Sequence, residues 1–151
     1  MNFQKIDTNK KRYIDLLLLA DEQENMIDAY LERGDMYVSE TDKTIAVCVV
    51  TDEGGGVLEV KNIAVCPDYQ RRGYGKAMID FVIQTYKNAY RDLLVGTGET
   101  PEITAFYEKC GFHQSHRIRN FFTDNYDHPI FEGDIQLVDM IYFSLNLKDI
   151  E

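Results

Sequence analysis

The amino-acid sequence predicts a mixed α/β (α+β) domain on one sheet of about seven mostly antiparallel strands, with helices on both faces. Three observations carry this. Short runs rich in β-branched and aromatic residues alternate with runs whose apolar residues recur at helical spacing. One strand, "VLEVKNIAV" (57–65), is apolar enough to be covered on both faces. Glycine and proline punctuate the elements, and no repeat, linker or composition change divides 1–151, so a single domain is expected.

"FQKI" (3–6) starts the order as a short strand. "NKKRYIDLLLLA" and "EQENMIDAYLER" follow as helices, with Tyr13, Leu16, Leu17 and Ala20, then Met26, Ile27, Tyr30 and Leu31, on their apolar stripes. Gly34 is the stop. "DMYVSE" and "TIAVCVVTD", parted by a polar "TDK", form a hairpin, and "DEGGG" turns into strand 57–65. Pro67, which has no amide hydrogen, ends that strand. "KAMIDFVIQTYKNAY" is an amphipathic helix and "DLLVGTG" (92–98) a strand. In "TPEITAFYEKCGF", Thr100 caps a helix, Pro101 fits its first turn and Gly111 its left-handed exit. Two strands close the chain, "FHQSHRIRNFF" and "IQLVDMIYFSLNL", separated by a loop "TDNYDHPIFEGD".

Composition narrows the function. A net charge of −10 argues against nucleic acid, which needs basic surface to displace phosphate counterions, and fits either a cationic substrate or simple solubility. The three cysteines have neither disulfide-framework nor CxxC spacing, and the histidines lack metal-ligand spacing, so no metal is expected. The longest apolar run, Leu16 to Ala20, is far short of a membrane span, and the N-terminus has no signal-peptide core. A cytoplasmic protein without membrane contact is the expectation.

The most informative stretch is "QRRGYG" (70–75), between the apolar strand and an amphipathic helix. The first amides of a helix lack internal acceptors and sit at the positive end of its dipole. Gly73 and Gly75 let an anion approach the backbone, and Arg71 and Arg72 add charge beside it. Such a corner suits phosphate. It lacks the third glycine of the dinucleotide fingerprint, and Gly75-Lys76 is followed by alanine, which removes the magnesium-nucleotide pattern. The alternative is a tight turn with solvated arginines.

In this setting "QRRGYG" resembles the (Q/R)xxGx(G/A) motif of the GNAT superfamily of acyl-CoA-dependent N-acetyltransferases. The resemblance extends to "FYEKCGF" and to the element order from Phe3 to Leu147. It implies acetyl-CoA as cosubstrate. The diphosphate would lie on Gln70, Arg71, Arg72, Gly73, Tyr74, Gly75 and Lys76, and the pantetheine arm on the main chain of Ile63, Ala64 and Val65. Family members often have asparagine where this chain has Thr100, whose hydroxyl would partly substitute at the coenzyme.

An amine attacking a thioester needs a proton acceptor, a stabilised oxyanion and a proton for the leaving thiolate. Glu59, the one acid within strand 57–65, matches the place where several family members carry a catalytic glutamate; the alternative is an ion pair with Lys61. Tyr107 matches the tyrosine that the family directs at the coenzyme sulfur, with Phe106 the better candidate for a plain core aromatic. Tyr126, Asp127 and His128 in the late loop, and Asp139 on the last strand, are candidate acceptor-binding groups; a hydrated loop is the alternative. The reaction implied is direct transfer in a ternary complex to a primary amine of a small molecule or protein. A catalytically quiet acyl-CoA-binding or interaction module is the other reading. A homodimer stays open.

Overall fold

In the computed structural model, which describes residues 2–150, seven strands form one sheet. They are β1 (Gln4–Ile6), β2 (Asp35–Glu40), β3 (Thr44–Gly54), β4 (Val57–Val65), β5 (Asp92–Gly98), β6 (His113–Ile118) and β9 (Met140–Asn146), in the order β1-β2-β3-β4-β5-β9-β6. All neighbours pair antiparallel except β4 and β5. The fold class expected from the sequence is the one observed.

The two faces follow from strand alternation. Helices α1 (Ile14–Ala20) and α2 (Glu24–Asp28) cover one face, burying Leu17 and Ile27 with Met36, Val38, Val47 and Val49. Helices α3 (Tyr74–Tyr86) and α4 (Pro101–Lys109) cover the other, where Met78, Ile79, Val82 and Tyr107 meet Cys48, Leu58, Val95 and Phe143. Fully burying each such Val, Leu, Ile or Met side chain contributes about 1.5–3 kcal/mol.

Strand β4 breaks the alternation once. Val49 pairs with Asn62 and Val50 with Val60, so Lys61 is an extra residue in the ladder, a β-bulge. Before it, Leu58 and Val60 pack under α3 and α4; after it, Ile63 and Val65 do so, while Ala64 joins the cluster under α1 and α2. Pairing between β4 and β5 covers only Val57–Val60 with Asp92–Val95. Beyond Lys61, β4 stays with β3 and β5 stays with β9, and the sheet splits.

Helix α3 ends at Tyr86 instead of the expected Tyr90, and the first expected helix begins as a 3-10 turn over Lys10–Tyr13; three boundaries differ more. The second helix keeps only Glu24–Asp28 of the expected 22–33, and turns lead from there to Gly34. The buried Lys10 ammonium explains this: it donates to the carbonyls of Leu31 (2.9 Å), Glu32 (3.3 Å) and Gly34 (2.7 Å), serving turn oxygens from outside the segment. The strand at 112–122 ends at Ile118. Asn120 turns left-handed (φ 57°), its N–H donates to Asp139 (2.9 Å), and Phe121–Asn125 forms helix α5 with Phe122 buried against Ile130 and Leu137. The last strand begins at Met140, because Gly133 (φ 58°) folds Phe131–Glu132 (β7) and Ile135–Gln136 (β8) into a small separate ribbon.

Replacing Lys10 with methionine keeps the apolar stem and leaves three carbonyls without their charged donor. A loss of about 2–4 kcal/mol is expected, read as a lower urea midpoint at unchanged m-value. A change below about 0.5 kcal/mol would mean water serves those carbonyls equally well.

Candidate active site

The split opens a cleft of about 670 Å³. Its floor is Lys61–Val65 of β4 and Val95–Thr97 of β5; its walls are the corner before α3 and the inner side of α4. A strand that parts from its neighbour leaves main-chain donors and acceptors free on that edge. Gln70 already reaches back to one, its amide donating to the Val65 carbonyl at 3.0 Å.

At one end stands the glycine-containing corner. Pro67–Tyr69 make a 3-10 turn, Arg71 is left-handed at φ 64°, and Gly73 is left-handed at φ 86° as the residue that opens α3. No side chain caps this helix, so the first amides of a thirteen-residue helix border the cleft. The two glycines do different work. Gly73 supplies the backbone angle, with nothing within 4 Å of where its Cβ would be. At Gly75 a Cβ would sit 3.3 Å from the Phe106 ring, so this glycine lets α4 approach α3. Gln70, Arg71, Gly73, Tyr74, Gly75 and Lys76 all line the cleft. Arg72 instead lies over the Tyr69 ring, 5.3 Å from its centroid.

Ile63, Ala64 and Val65 line the cleft as expected. Thr100 does not; its hydroxyl accepts from the Ile103 amide at 3.2 Å and caps α4. Tyr107 and Phe106 exchange the burial the sequence assigned them. Phe106 is half-buried in the cleft wall, whereas Tyr107 is buried, stacked on Phe143 and edge-on to Phe112. Tyr107 still lines the cleft, and its hydroxyl has no hydrogen-bond partner among the described residues. Burial, with lesser contributions from Cys48 and Cys110, pushes its phenol well above the usual range. It is a neutral donor without a protein acceptor.

Glu59 is buried and ion-paired with Lys61 at 3.0 Å, and the Tyr142 hydroxyl donates to it at 3.5 Å. Burial, then the Glu59 charge, push the Tyr142 phenol up to about 12. Glu59 is not in the cleft wall; Lys61 is. The proposed base thus stands one ion pair behind the cleft.

At its other end the cleft continues into a smaller pocket of about 120 Å³, the two sharing Leu19, Ala20, Lys61, Gly96, Thr97, Ile103 and Glu132. Gly96 is small for a reason: a Cβ there would lie 2.7 Å from Met140 Sδ and 2.9 Å from the Tyr142 ring. Tyr126 lines this pocket, and its hydroxyl donates to Asp21 at 2.6 Å. Asp127 and His128 pair with each other at 2.6 Å on the surface, outside both cavities. Asp139 is also outside them; it accepts from Arg117 at 2.7 Å and from the Asn120 amide, which fixes the end of β6 against β9. The sequence reading missed Asp21, Glu22 and Glu132, which line the pocket, and Asn62 in the cleft floor. Asn62 had a visible signal, an amide within an apolar strand; an acid at a helix end had none.

A sheet split beside an uncapped helix start, with helices on both faces, defines the acyl-CoA N-acyltransferase fold class. The comparisons agree. The GNAT acetyltransferase domain model matches residues 32–114. The chain is 36% identical over 156 residues to the uncharacterized N-acetyltransferase YvbK of Bacillus subtilis (strain 168), spanning 97% of this chain and 100% of that protein. A GNAT family acetyltransferase from Elizabethkingia anophelis, solved with acetyl-CoA bound, superposes with a TM-score of 0.89 at 34% identity, over 96% of this chain and 97% of that one. A Bacillus subtilis acetyltransferase solved with CoA does so with a TM-score of 0.86 at 32% identity, again over 96% and 97%. The chain belongs to the GNAT acetyltransferase family.

Proposed function

We propose that this protein transfers the acetyl group of acetyl-CoA to a primary amine by direct attack in a ternary complex. One observation carries the reading. The free edge of β4, the unfilled amides opening α3 and the unpartnered Tyr107 hydroxyl line a single cleft, and that cleft continues into an acid-bearing pocket. Two relatives above 30% identity were solved with acetyl-CoA or CoA.

Each residue then has a task. The Arg71–Lys76 amides hold the diphosphate at the positive end of α3. The main chain of Ile63–Val65 takes the pantetheine arm as an added strand. Tyr107 gives its proton to the departing thiolate and takes back the second proton of the acylated nitrogen as the tetrahedral intermediate collapses, so the buried phenol, whose ionised form burial disfavours, ends neutral. Glu59, fixed by Lys61 and Tyr142, is the eventual acceptor of the ammonium proton, on the Lys61 side of the cleft. Cys110, the covalent rival, sits at the C-terminal end of α4 with its thiol pushed up by burial, both of which disfavour a thiolate.

One observation favours the second reading, a quiet acyl-CoA-binding module: the Glu59 carboxylate is tied up and outside the cleft wall. Calorimetry with acetyl-CoA, followed by thiol release across an amine panel, separates the two. Tight binding with no release for any amine would establish the quiet module.

Tyr107→Phe should lower turnover at least tenfold, about 1.4 kcal/mol, with coenzyme affinity nearly intact. Unchanged turnover would remove the phenol from the mechanism. Gly73→Glu forces a bulky anion into a left-handed position beside the diphosphate site, and calorimetric binding of CoA should vanish. Wild-type affinity in that variant would reduce the corner to a turn.

A further inference from the structure

We propose that the smaller pocket selects a primary amine carrying a second cationic group, with Asn62 accepting from the nitrogen to be acetylated and Asp21, flanked by Glu22 and Glu132, holding the remote ammonium. This rests on the acetyl-transfer reading and adds the class of acceptor.

The argument starts from an orphan. Asn62 is 3% exposed and lines the cleft. Its Nδ2 donates to the Leu17 carbonyl at 3.0 Å and to the Tyr30 hydroxyl at 3.1 Å, and its Oδ1 has no partner. An unmet buried acceptor costs about 1–3 kcal/mol, which an N–H on a ligand would recover. Tyr30 carries the chain onward, donating to Asp21 Oδ2 at 3.1 Å, while Tyr126 from the late loop donates to Asp21 Oδ1 at 2.6 Å. Asp21 is therefore fixed from two sides by neutral donors and has no cation within ion-pairing distance among the described residues. Burial accordingly holds its carboxyl above the usual carboxylate range.

The charges around the pocket have one sense. Asp21, Glu22 and Glu132 line it, and Lys61, its only cation among the described residues, already faces Glu59 at 3.0 Å. The charged side chains left for a ligand are all acceptors, with the Thr97 hydroxyl, donor or acceptor, beside them. A free amino acid would bring its own carboxylate against three others, whereas a diamine brings donors at both ends. The pocket's apolar walls include Phe122, Ile130, Leu137 and Met140, with the Tyr126 ring stacked on Phe122 at 5.7 Å, a surface for methylene groups and for a cation over an aromatic face.

The test compares three amines of matched chain length: an alkylamine, the diamine with a second terminal ammonium, and the ω-amino acid with a terminal carboxylate. Thiol release from acetyl-CoA should give a kcat/KM for the diamine at least about tenfold above the alkylamine, with the amino acid lowest. Asp21→Asn, which keeps an oxygen for one tyrosine, and Glu22→Gln, on the exposed rim, should each shrink the diamine preference, chiefly through KM. Calorimetry of the same amines in the presence of CoA reads the pocket without chemistry. Diamine binding that Asp21→Asn weakens, without turnover, would sustain this inference and overturn amine acetylation. Equal turnover of all three amines would overturn this inference and leave acetylation standing. Absence of diamine binding would overturn it as well.

Discussion

One extra residue in one strand organises this molecule. With Lys61 unpaired in the β3–β4 ladder, side chains beyond it change faces, and pairing with β5 ends at Val60. A sheet cannot normally leave strand edges unpaired in its interior, because buried amides and carbonyls without partners are costly. Here that cost is the site. The free edge of β4 lies beside β5 instead of on the rim, roofed by α4 and ended by the start of α3. An extended ligand with alternating amides fits such an edge as a missing strand would. The glycines serve the same opening: Gly75 brings Phe106 in as a wall, and Gly96 lets Met140 and the Tyr142 ring of β9 lie against β5.

Polar groups inside the fold are correspondingly few and connected. Lys10 closes the turns after α2 through three carbonyls. Asn62, Tyr30, Asp21 and Tyr126 form one chain of hydrogen bonds from the floor of the cleft, past α1 and α2, to the loop after α5. A second contact ties the same segments, the Asp127 amide donating to Gln23 at 3.1 Å. The late segment, with its own apolar cluster of Phe122, Ile130 and Leu137, is thus held to the early helices at the pocket itself. Changes in that chain should be felt at both cavities, since Asn62 and Asp21 share a single tyrosine.

The sequence made some of this legible and hid the rest for identifiable reasons. The order of strands and helices was readable because periods of two and of 3.6 differ over a few residues, and Pro67, Pro101 and Gly111 mark ends by backbone chemistry. The corner was readable because Gly73 and Gly75 flank one residue after two arginines. The bulge at Lys61 was not, since a lysine within an apolar strand looks like any outward-facing residue until its partners are known. Helix 22–33 was overextended because its stop comes from Lys10, distant in sequence. The acceptor residues were sought in the late loop, where acids and aromatics cluster; of these Tyr126 lines the pocket, while Asp139 binds Arg117 and Asp127 binds His128. The acids at the pocket come from two places, Asp21 and Glu22 after α1 and Glu132 on β7, a convergence that only the third dimension shows.

The direction of chemistry is favoured by what each end of α4 and α3 does to charge. The start of α3 presents positive dipole and free amides to the cleft, which suits the diphosphate and any developing negative charge near it. The end of α4 presents negative dipole, and there Cys110 lies with its thiol raised by burial, against a smaller opposing pull from Lys76 and with a lesser push from Asp80. A covalent route would need a thiolate at the one helix terminus that repels it. Tyr107, less than one helical turn from that terminus in the same wall, needs no charge to act: its phenol is neutral, buried and without a hydrogen-bond partner among the described residues. A cleft that supplies a proton donor but discourages a nucleophile of its own favours an attacking group that arrives with the second substrate, from the acid-lined end.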